Sequence, residues 1–388
     1  MNVKINEKEA LLDKIIFSGI DILGFDDMNY LVEQEIVQKG TSKAKYVTYT
    51  GQKFDRLLIE NDGVINKLVA GSKILGGKRI DYCHLECTVK NEGFRNLKCY
   101  SIEDYVEYLQ EIEEHLLNTY GIHADFSDIT LKEVEINRTF KLQSDFSNYH
   151  RVITLLMHNL PSYLKNQMDY KKNEKDNIEY QTYYATSQTA NKSKRYLLFK
   201  IYNKTKALEH IVLLTDSYMR VEFRLVGSEK VKKSLGTNKF AELTDQIIND
   251  YFNAQVQKLI INPLQKWQQS RDKYLIQLMK QQRQEDIRHW QTNVLRILQN
   301  EEIQQKHAIL LDIEELIPLV NRLNLNAKRQ SDVKKNFRKQ AQKYETVFCT
   351  GDNRKLNEII EKLTVKDAVK STEYPVKCPT YDGMIKTA

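Results

Sequence analysis

The sequence predicts an α+β protein, an antiparallel-sheet domain with flanking helices followed by a mainly α-helical C-terminal region. Three observations point there. Before about residue 236, short runs with period-two alternation are mixed with two strong helix patterns, whereas nearly everything from Lys239 to about Lys343 reads as helix. Only 5 Pro and 14 Gly occur in 388 residues, too few for a linker-dominated or low-complexity chain. With 41% hydrophobic residues, the chain can bury a core of two or three domains. The expected divisions are an α+β domain over 1–235, a helical region over 236–348, and a short helix with a loose tail over 349–388.

The elements follow in chain order. In HLECTV, Leu85, Cys87 and Val89 share one face of a strand, and His84, Glu86 and Thr88 the other. A helix starts at Ser101, with Asp104 three residues on to close a capping box. It ends before Gly121 and buries a stripe of Tyr105, Leu109, Ile112 and Leu116. LKEVEINRTF turns Val134 and Ile136 inward and leaves Glu133, Glu135 and Asn137 opposite. A second helix runs from about Asn148 to Leu160, where Pro161 stops it. In RYLLFKIYNK, Leu197, Phe199 and Ile201 face in while Tyr196, Leu198, Lys200, Tyr202 and Lys204 face out; in YMRVEFRL, Met219, Val221, Phe223 and Leu225 alternate with Tyr218, Arg220, Glu222 and Arg224. Leu264 to Leu298 lacks Pro and Gly and reads as one long amphipathic helix or a pair anchored by Trp267 and Trp290. HAILLDIEELIPLVNRLNLN then gives an apolar-periodic helix with a kink at Pro318, followed by a basic helix.

Several classes are excluded. No apolar run approaches the roughly 20 residues a membrane span needs, and MNVKINEKEALLDK lacks a signal-peptide pattern, so the expected setting is the cytosol. The 5 cysteines fit reduced thiols, and Cys83 and Cys87 find no second pair to complete a zinc site. GSKILGGK has the wrong glycine spacing for a phosphate loop, and Arg79 stands where Ser or Thr should follow the lysine.

The formal charge is +7, from 59 Lys+Arg and 52 Asp+Glu, but it is unevenly spread. Residues 251–388 hold 24 Lys+Arg against 16 Asp+Glu, a net +8, so residues 1–250 are near neutral. A basic third suits a polyanion, with nucleic acid the first expectation. Lys328, Arg329, Lys334, Lys335, Arg338 and Lys339 concentrate on the second of two consecutive helices, the arrangement of a helix-turn-helix that reads duplex DNA or of a dimer interface.

If the four alternating strands share one sheet, its polar face gathers a histidine, carboxylates, lysines, arginines and tyrosines. Acids with His can hold a divalent cation, Lys and Arg can take phosphate charge, and Tyr can supply an oxygen nucleophile. Together these are the parts for metal-assisted cleavage of a phosphodiester. The alternative is a structural face of cross-strand ion pairs.

These residues resemble a known family. KRYLLFKIYNKTKALE followed by YMRVEFRL resembles the tyrosine motif and following Arg-Glu strand of rolling-circle replication initiation proteins, in particular the Rep_trans-like and filamentous-phage gene II-like groups. LKEVEINRTF is similar to the family's upstream acidic strand, with Glu135 at the acidic position, and GSKILGG to a glycine-containing segment before the catalytic strands. The likeness covers roughly residues 65 to 230. The chain departs from the family in lacking a His-hydrophobe-His motif, for which His84-Leu85-Glu86 is the nearest substitute, and in lacking the Arg-Asp pair.

The resemblance implies an origin-specific nicking and joining enzyme. Tyr202 would attack DNA to leave a 5′-phosphotyrosyl link and a priming 3′-OH. Lys200 and Lys204 would favour the phenolate or hold the phosphate, and Mg²⁺ or Mn²⁺ would be held by some of His84, Glu86, Glu135 and Glu222. Arg220 and Arg224 would contact the DNA backbone. The implied partners are double-stranded origin DNA, single-stranded DNA, a second copy of the chain and a host helicase, with no membrane. Two rivals share parts of this reading: a conjugative relaxase with the same chemistry, and a non-catalytic DNA-binding regulator.

Overall fold

The computed structural model describes residues 7, 9–40, 44–89, 95–172, 178–187, 196–300, 313–344 and 351–364. The expected tail beyond residue 364 and the start of the apolar stretch, residues 307–312, lie outside them. Described residues within 1–141 and 186–252 form one compact unit, and those within 142–185 and 253–365 another. The fold is α+β, with a large antiparallel sheet, flanking helices and a helical C-terminal region.

The strands are β1 Leu11–Ser18, β2 Asp21–Phe25, β3 Val37–Gln38, β4 Tyr46–Val47, β5 Lys53–Phe54, β6 Arg56–Glu60, β7 Lys67–Leu75, β8 Lys78–Thr88, β9 Ile122–Asp125, β10 Thr130–Lys141, β11 Lys165–Lys172, β12 Ile178–Thr186, β13 Tyr196–Asn203 and β14 Tyr218–Val226. In the first unit the main sheet runs β13-β14-β10-β1-β8-β7-β6-β3, and each of these pairings is antiparallel. The four strands expected to alternate therefore share one sheet, with β1 lying between β8 and β10.

One face carries the core. Phe17, Leu85, Val134, Ile136, Phe199, Ile201, Val221 and Phe223 are buried. The helix Ile102–Tyr120 packs there: Phe17 meets Tyr105 edge-on at 6.5 Å, and the stripe of Tyr105, Leu109, Ile112 and Leu116 is buried as its spacing requires. Its ends obey the sequence. Ser101 accepts from the Asp104 amide, Asp104 accepts from the Ser101 amide, and Gly121 closes the helix in the left-handed region at φ 59°. Phe252, on the helix that begins at Asp245, packs against Phe223 at 5.2 Å and lies under the Arg138 guanidinium at 4.7 Å. Cys83, Cys87 and Cys99 are buried.

The second unit holds the helical region. The stretch 264–298 forms two helices, Asn262–Glu285 and Trp290–Leu298. They part at Asp286, whose extended backbone and carboxylate capture the Arg288 and His289 amides at 2.9 and 3.0 Å. After Pro318 the helix Ile313–Leu319 tightens into a 3₁₀ turn, Val320–Leu323, and Asn324 ends it at φ 54°. Asn326 then caps the basic helix Ala327–Ala341, with its Oδ1 2.9 Å from the Arg329 amide. Leu275, Met279, Trp290, Leu295, Leu316, Val320 and Phe337 share one apolar core beneath these helices. Among the described residues no helix is long and apolar enough to cross a membrane.

Candidate active site

The polar face of β13, β14, β10 and β1 builds a compact charged cluster. Cross-strand register places Lys200 opposite Glu222, Tyr202 opposite Arg220, and Arg224 between Leu198 and Glu135. Lys200 Nζ lies 2.5 Å from Glu222 Oε1 and 3.9 Å from Glu135 Oε1, and Arg224 Nε lies 3.2 Å from Glu135 Oε1 and also pairs with Glu133. Glu135 is 8% exposed and Glu222 1%. So deep a group of charges is tolerable only because each carboxylate meets a cation.

A third buried carboxylate joins them through an irregularity. The β1–β10 register steps from Leu12 opposite Ile136 to Lys14 opposite Glu135, leaving Asp13 as an extra residue. By strict alternation Asp13 would share the core face of Ile15 and Phe17. The bulge instead turns it to the polar face, where Asp13 Oδ2 accepts from Arg220 Nη1 at 2.7 Å. A ligand oxygen from each of Asp13, Glu135 and Glu222 lies within 4.8 Å of the others. Sequence reasoning misses Asp13 for this reason. The one signal is an acid at a core-parity position, in line with Ile15 and Phe17 of the strand LLDKIIFS.

Tyr202 is half-buried, and its Oη donates to Glu222 Oε2 at 3.3 Å. Burial pushes its phenol well above the ordinary tyrosine range; Arg220 pulls the other way, and Glu222 and Asp13 add to the rise. Ionising this phenol would therefore require a proton acceptor, and Glu222 lies within hydrogen-bond reach. Asn203 explains the local turn, because its Oδ1 caps the short helix Lys204–Ala207 by accepting from the Lys206 amide at 3.0 Å. Lys204 thereby folds back under cover, with its ammonium 5.8 Å from the Tyr202 ring. Burial first, then the Arg220 charge, pulls Lys204 down to about 8. Thr205 holds the chain to the start of β14, donating to the Asp216 carbonyl at 3.0 Å and accepting from the Tyr218 amide at 2.8 Å.

Burial and the Glu222 charge push Glu135 up to about 7, against the pull of Lys200 and Arg224. Burial alone would lower Lys200, but Glu222 and Glu135 outweigh it and hold the ammonium above its usual range.

Five residues fall elsewhere than their expected roles require: Lys204, Arg224, Arg220, His84 and Glu86. Lys204 leaves the outer strand face for a buried helix start, and Arg224 is engaged by Glu133 and Glu135. Arg220 is wholly buried and donates to Thr139 Oγ1 at 2.7 Å as well as to Asp13. Its hydrogen bonds to Asp13 and Thr139 are made inside the cluster, so its place is there and not along an outer DNA-facing surface. His84 and Glu86 do not join the acids, because β1 separates their strand from β10 by two strand spacings, about 10 Å. Glu86 pairs with Lys14. Burial, then Lys132 and Lys73, brings His84 down to about 4. On the basic helix, Lys328, Arg329, Lys335 and Lys339 are exposed, Lys334 is half-buried, and Arg338 holds Glu314 with two hydrogen bonds of 2.8 and 2.9 Å.

The donor set fits a hard divalent cation. All three candidate ligands are carboxylates, and Asp13 Oδ1 is buried without a hydrogen-bond partner. Mg²⁺ or Mn²⁺ suits such oxygens.

No family model matches the chain, and no curated protein matches it significantly. Among solved structures, one match is the rolling circle replication initiator protein from Geobacillus stearothermophilus, with a TM-score of 0.32 and 12% identity over 65% of this chain and 85% of that one.

Proposed function

We propose that the chain nicks and rejoins DNA as an initiator of rolling-circle replication, with Tyr202 as nucleophile. The observation that carries this reading is the Tyr202 hydroxyl held on Glu222, inside a group of three converging carboxylates. Tyr202 Oη forms a bond to phosphorus as the bond to the 3′-oxygen breaks. The phenolic proton passes to Glu222, and Lys204, lowered to about 8, gives a proton to the departing oxygen. Asp13, Glu135 and Glu222 would hold Mg²⁺ or Mn²⁺, which when bound supplies Lewis-acid polarisation of the phosphate. Arg220 positions Asp13, and Lys200 and Arg224 limit repulsion among the acids. The 5′-phosphotyrosyl link retains the energy of the broken bond, so the same site can rejoin ends. A conjugative relaxase would use the same steps on a transfer origin. The exposed cations of the helix Ala327–Ala341 are proposed to bind duplex DNA by neutralising phosphates.

The test is a covalent adduct. Supercoiled plasmid carrying the gene and its flanking DNA, incubated with the chain and Mg²⁺ or Mn²⁺ and then denatured, is expected to retain protein on the 5′ end of a nicked strand. Tyr202→Phe is expected to abolish the adduct while leaving DNA binding intact; adduct formation by that variant would sink the assignment. A second reading, a non-catalytic DNA-binding regulator, is favoured by the pairing of every clustered carboxylate with a cation. It requires that the unaltered chain give no adduct with either metal.

A further inference from the structure

The polar face that carries the charged cluster continues across the sheet to the β7–β8 hairpin. Lys78, Ile80, Tyr82, His84 and Glu86 alternate onto that face of β8, and their β7 partners are Leu75, Lys73, Gly71, Val69 and Lys67. Neighbouring strands end early. β6 pairs with β7 only as far as Gly71, and β1 pairs with β8 only from His84 onward. Beyond Gly71 and Tyr82 no other strand among the described residues pairs with the hairpin, which closes at Gly76 and Gly77 with φ of 59° and 78°, the tight turn that only glycine adopts freely.

The two faces of this ribbon differ. On the face away from the cluster, Ser72 bonds Asp81 and Arg79 pairs with Asp81 at 3.0 Å, so its polar groups satisfy one another. On the cluster's face, neither Lys73 nor Lys78 has an acidic partner among the described residues, and Leu75 and Ile80 are 63% and 39% exposed. Behind them stand two half-buried rings, Tyr82 and His84, with centroids 5.8 Å apart and planes 30° apart. Lys73 Nζ lies 5.8 Å from the Tyr82 ring centre. A second bulge adds another cation. The register steps from Ile16 opposite Glu133 to Phe17 opposite Leu131, leaving Lys132 as the extra residue, and its charge reaches His84.

We propose that this track binds a single strand of DNA leading away from the cluster, with bases stacked on Tyr82 and His84 and phosphates met by Lys73, Lys78 and Lys132. Flat half-exposed rings flanked by lysines suit unpaired bases, whose faces are open; in duplex DNA those faces are covered and only edges are offered. A second copy of the chain fits less well, since two such tips would bring uncompensated lysines together. The inference rests on the nicking reading only for the origin of the strand.

Fluorescence anisotropy of the full chain with fluorescein-labelled oligothymidylate, titrated over a range of salt, tests it. Tyr82→Ala is expected to weaken binding by about tenfold and Tyr82→Phe to retain it. Lys73→Gln and Lys78→Gln, surface changes that leave the core untouched, are each expected to lower the salt slope by roughly 0.7. Unchanged affinity and slope in all these variants, or no measurable binding by the unaltered chain, would overturn the proposal. So would loss of self-association in the lysine variants with oligonucleotide binding intact. The two readings fail separately. If the unaltered chain forms no covalent adduct yet the binding losses appear, the track stands and the nicking reading falls. Adducts without binding losses leave the nicking reading standing and overturn the track.

Discussion

The two ends of one sheet face are written in the same alternating pattern and behave oppositely. At the Tyr202 end, four strands lie side by side, and Arg220 and Glu222 are almost wholly buried. Charges there are buried and compensated pairwise. At the hairpin end the flanking strands stop, and Lys73 and Lys78 stand without an acidic partner among the described residues. Where no bulge interrupts it, alternation therefore sets which side chains share a face, while the neighbours of a strand decide whether that face becomes a desolvated site or a binding surface.

Perturbing each end should expose this contrast. The largest effect is expected from Glu222→Gln, which removes the proposed proton acceptor for Tyr202 and a proposed metal ligand together. Adduct formation should fall by roughly 10²–10⁴-fold in quenched time courses, and a smaller loss would assign the proton to another base. Arg220→Leu comes next. It leaves Asp13 buried without its cation and should cost about 3–5 kcal/mol in urea denaturation, whereas a loss under about 1 kcal/mol would mean that Asp13 is solvated.

A third prediction concerns pH. The folded state raises Glu135 from 4.5 to about 7 and so binds its proton more tightly than the unfolded chain does. Stability of the metal-free chain should therefore fall as pH rises through that interval and level off above it, and Glu135→Gln should flatten the dependence. Added Mg²⁺ should stabilise more on the alkaline side, where the carboxylate is free to bind. Thermal melts across pH with and without Mg²⁺ check both signs. The smallest effect belongs to the hairpin. Lys78→Gln should change stability by no more than about 0.5 kcal/mol, and a larger change in the same melts would show that the ribbon's cations are structural.

Much of the fold is legible in the sequence because its signals are local. The Ser101–Asp104 capping box, the Gly121 terminus, the buried stripe between them and the inward parity of the four strands depend only on residues within a few positions of one another. The Tyr202-Asn203-Lys204 run is legible only in part, since alternation keeps Lys204 on the outer strand face beside Tyr202, whereas Asn203 ends the strand, caps the next helix and folds Lys204 back under cover. The break at Asp286 is not, because an aspartate inside a helical pattern is tolerated until its carboxylate captures the amides beyond it.

The sequence by itself determined the strand parities, the helix termini and the basic character of the C-terminal third. Only the tertiary structure decided that Asp13 belongs with Glu135 and Glu222, that Arg220 is enclosed with them, and that His84 stands among lysines. The physical reason is that a bulge shifts a side chain to the opposite face without a change in composition. Burial, likewise, depends on strands and loops distant along the chain that come to lie beside a residue or leave it bare.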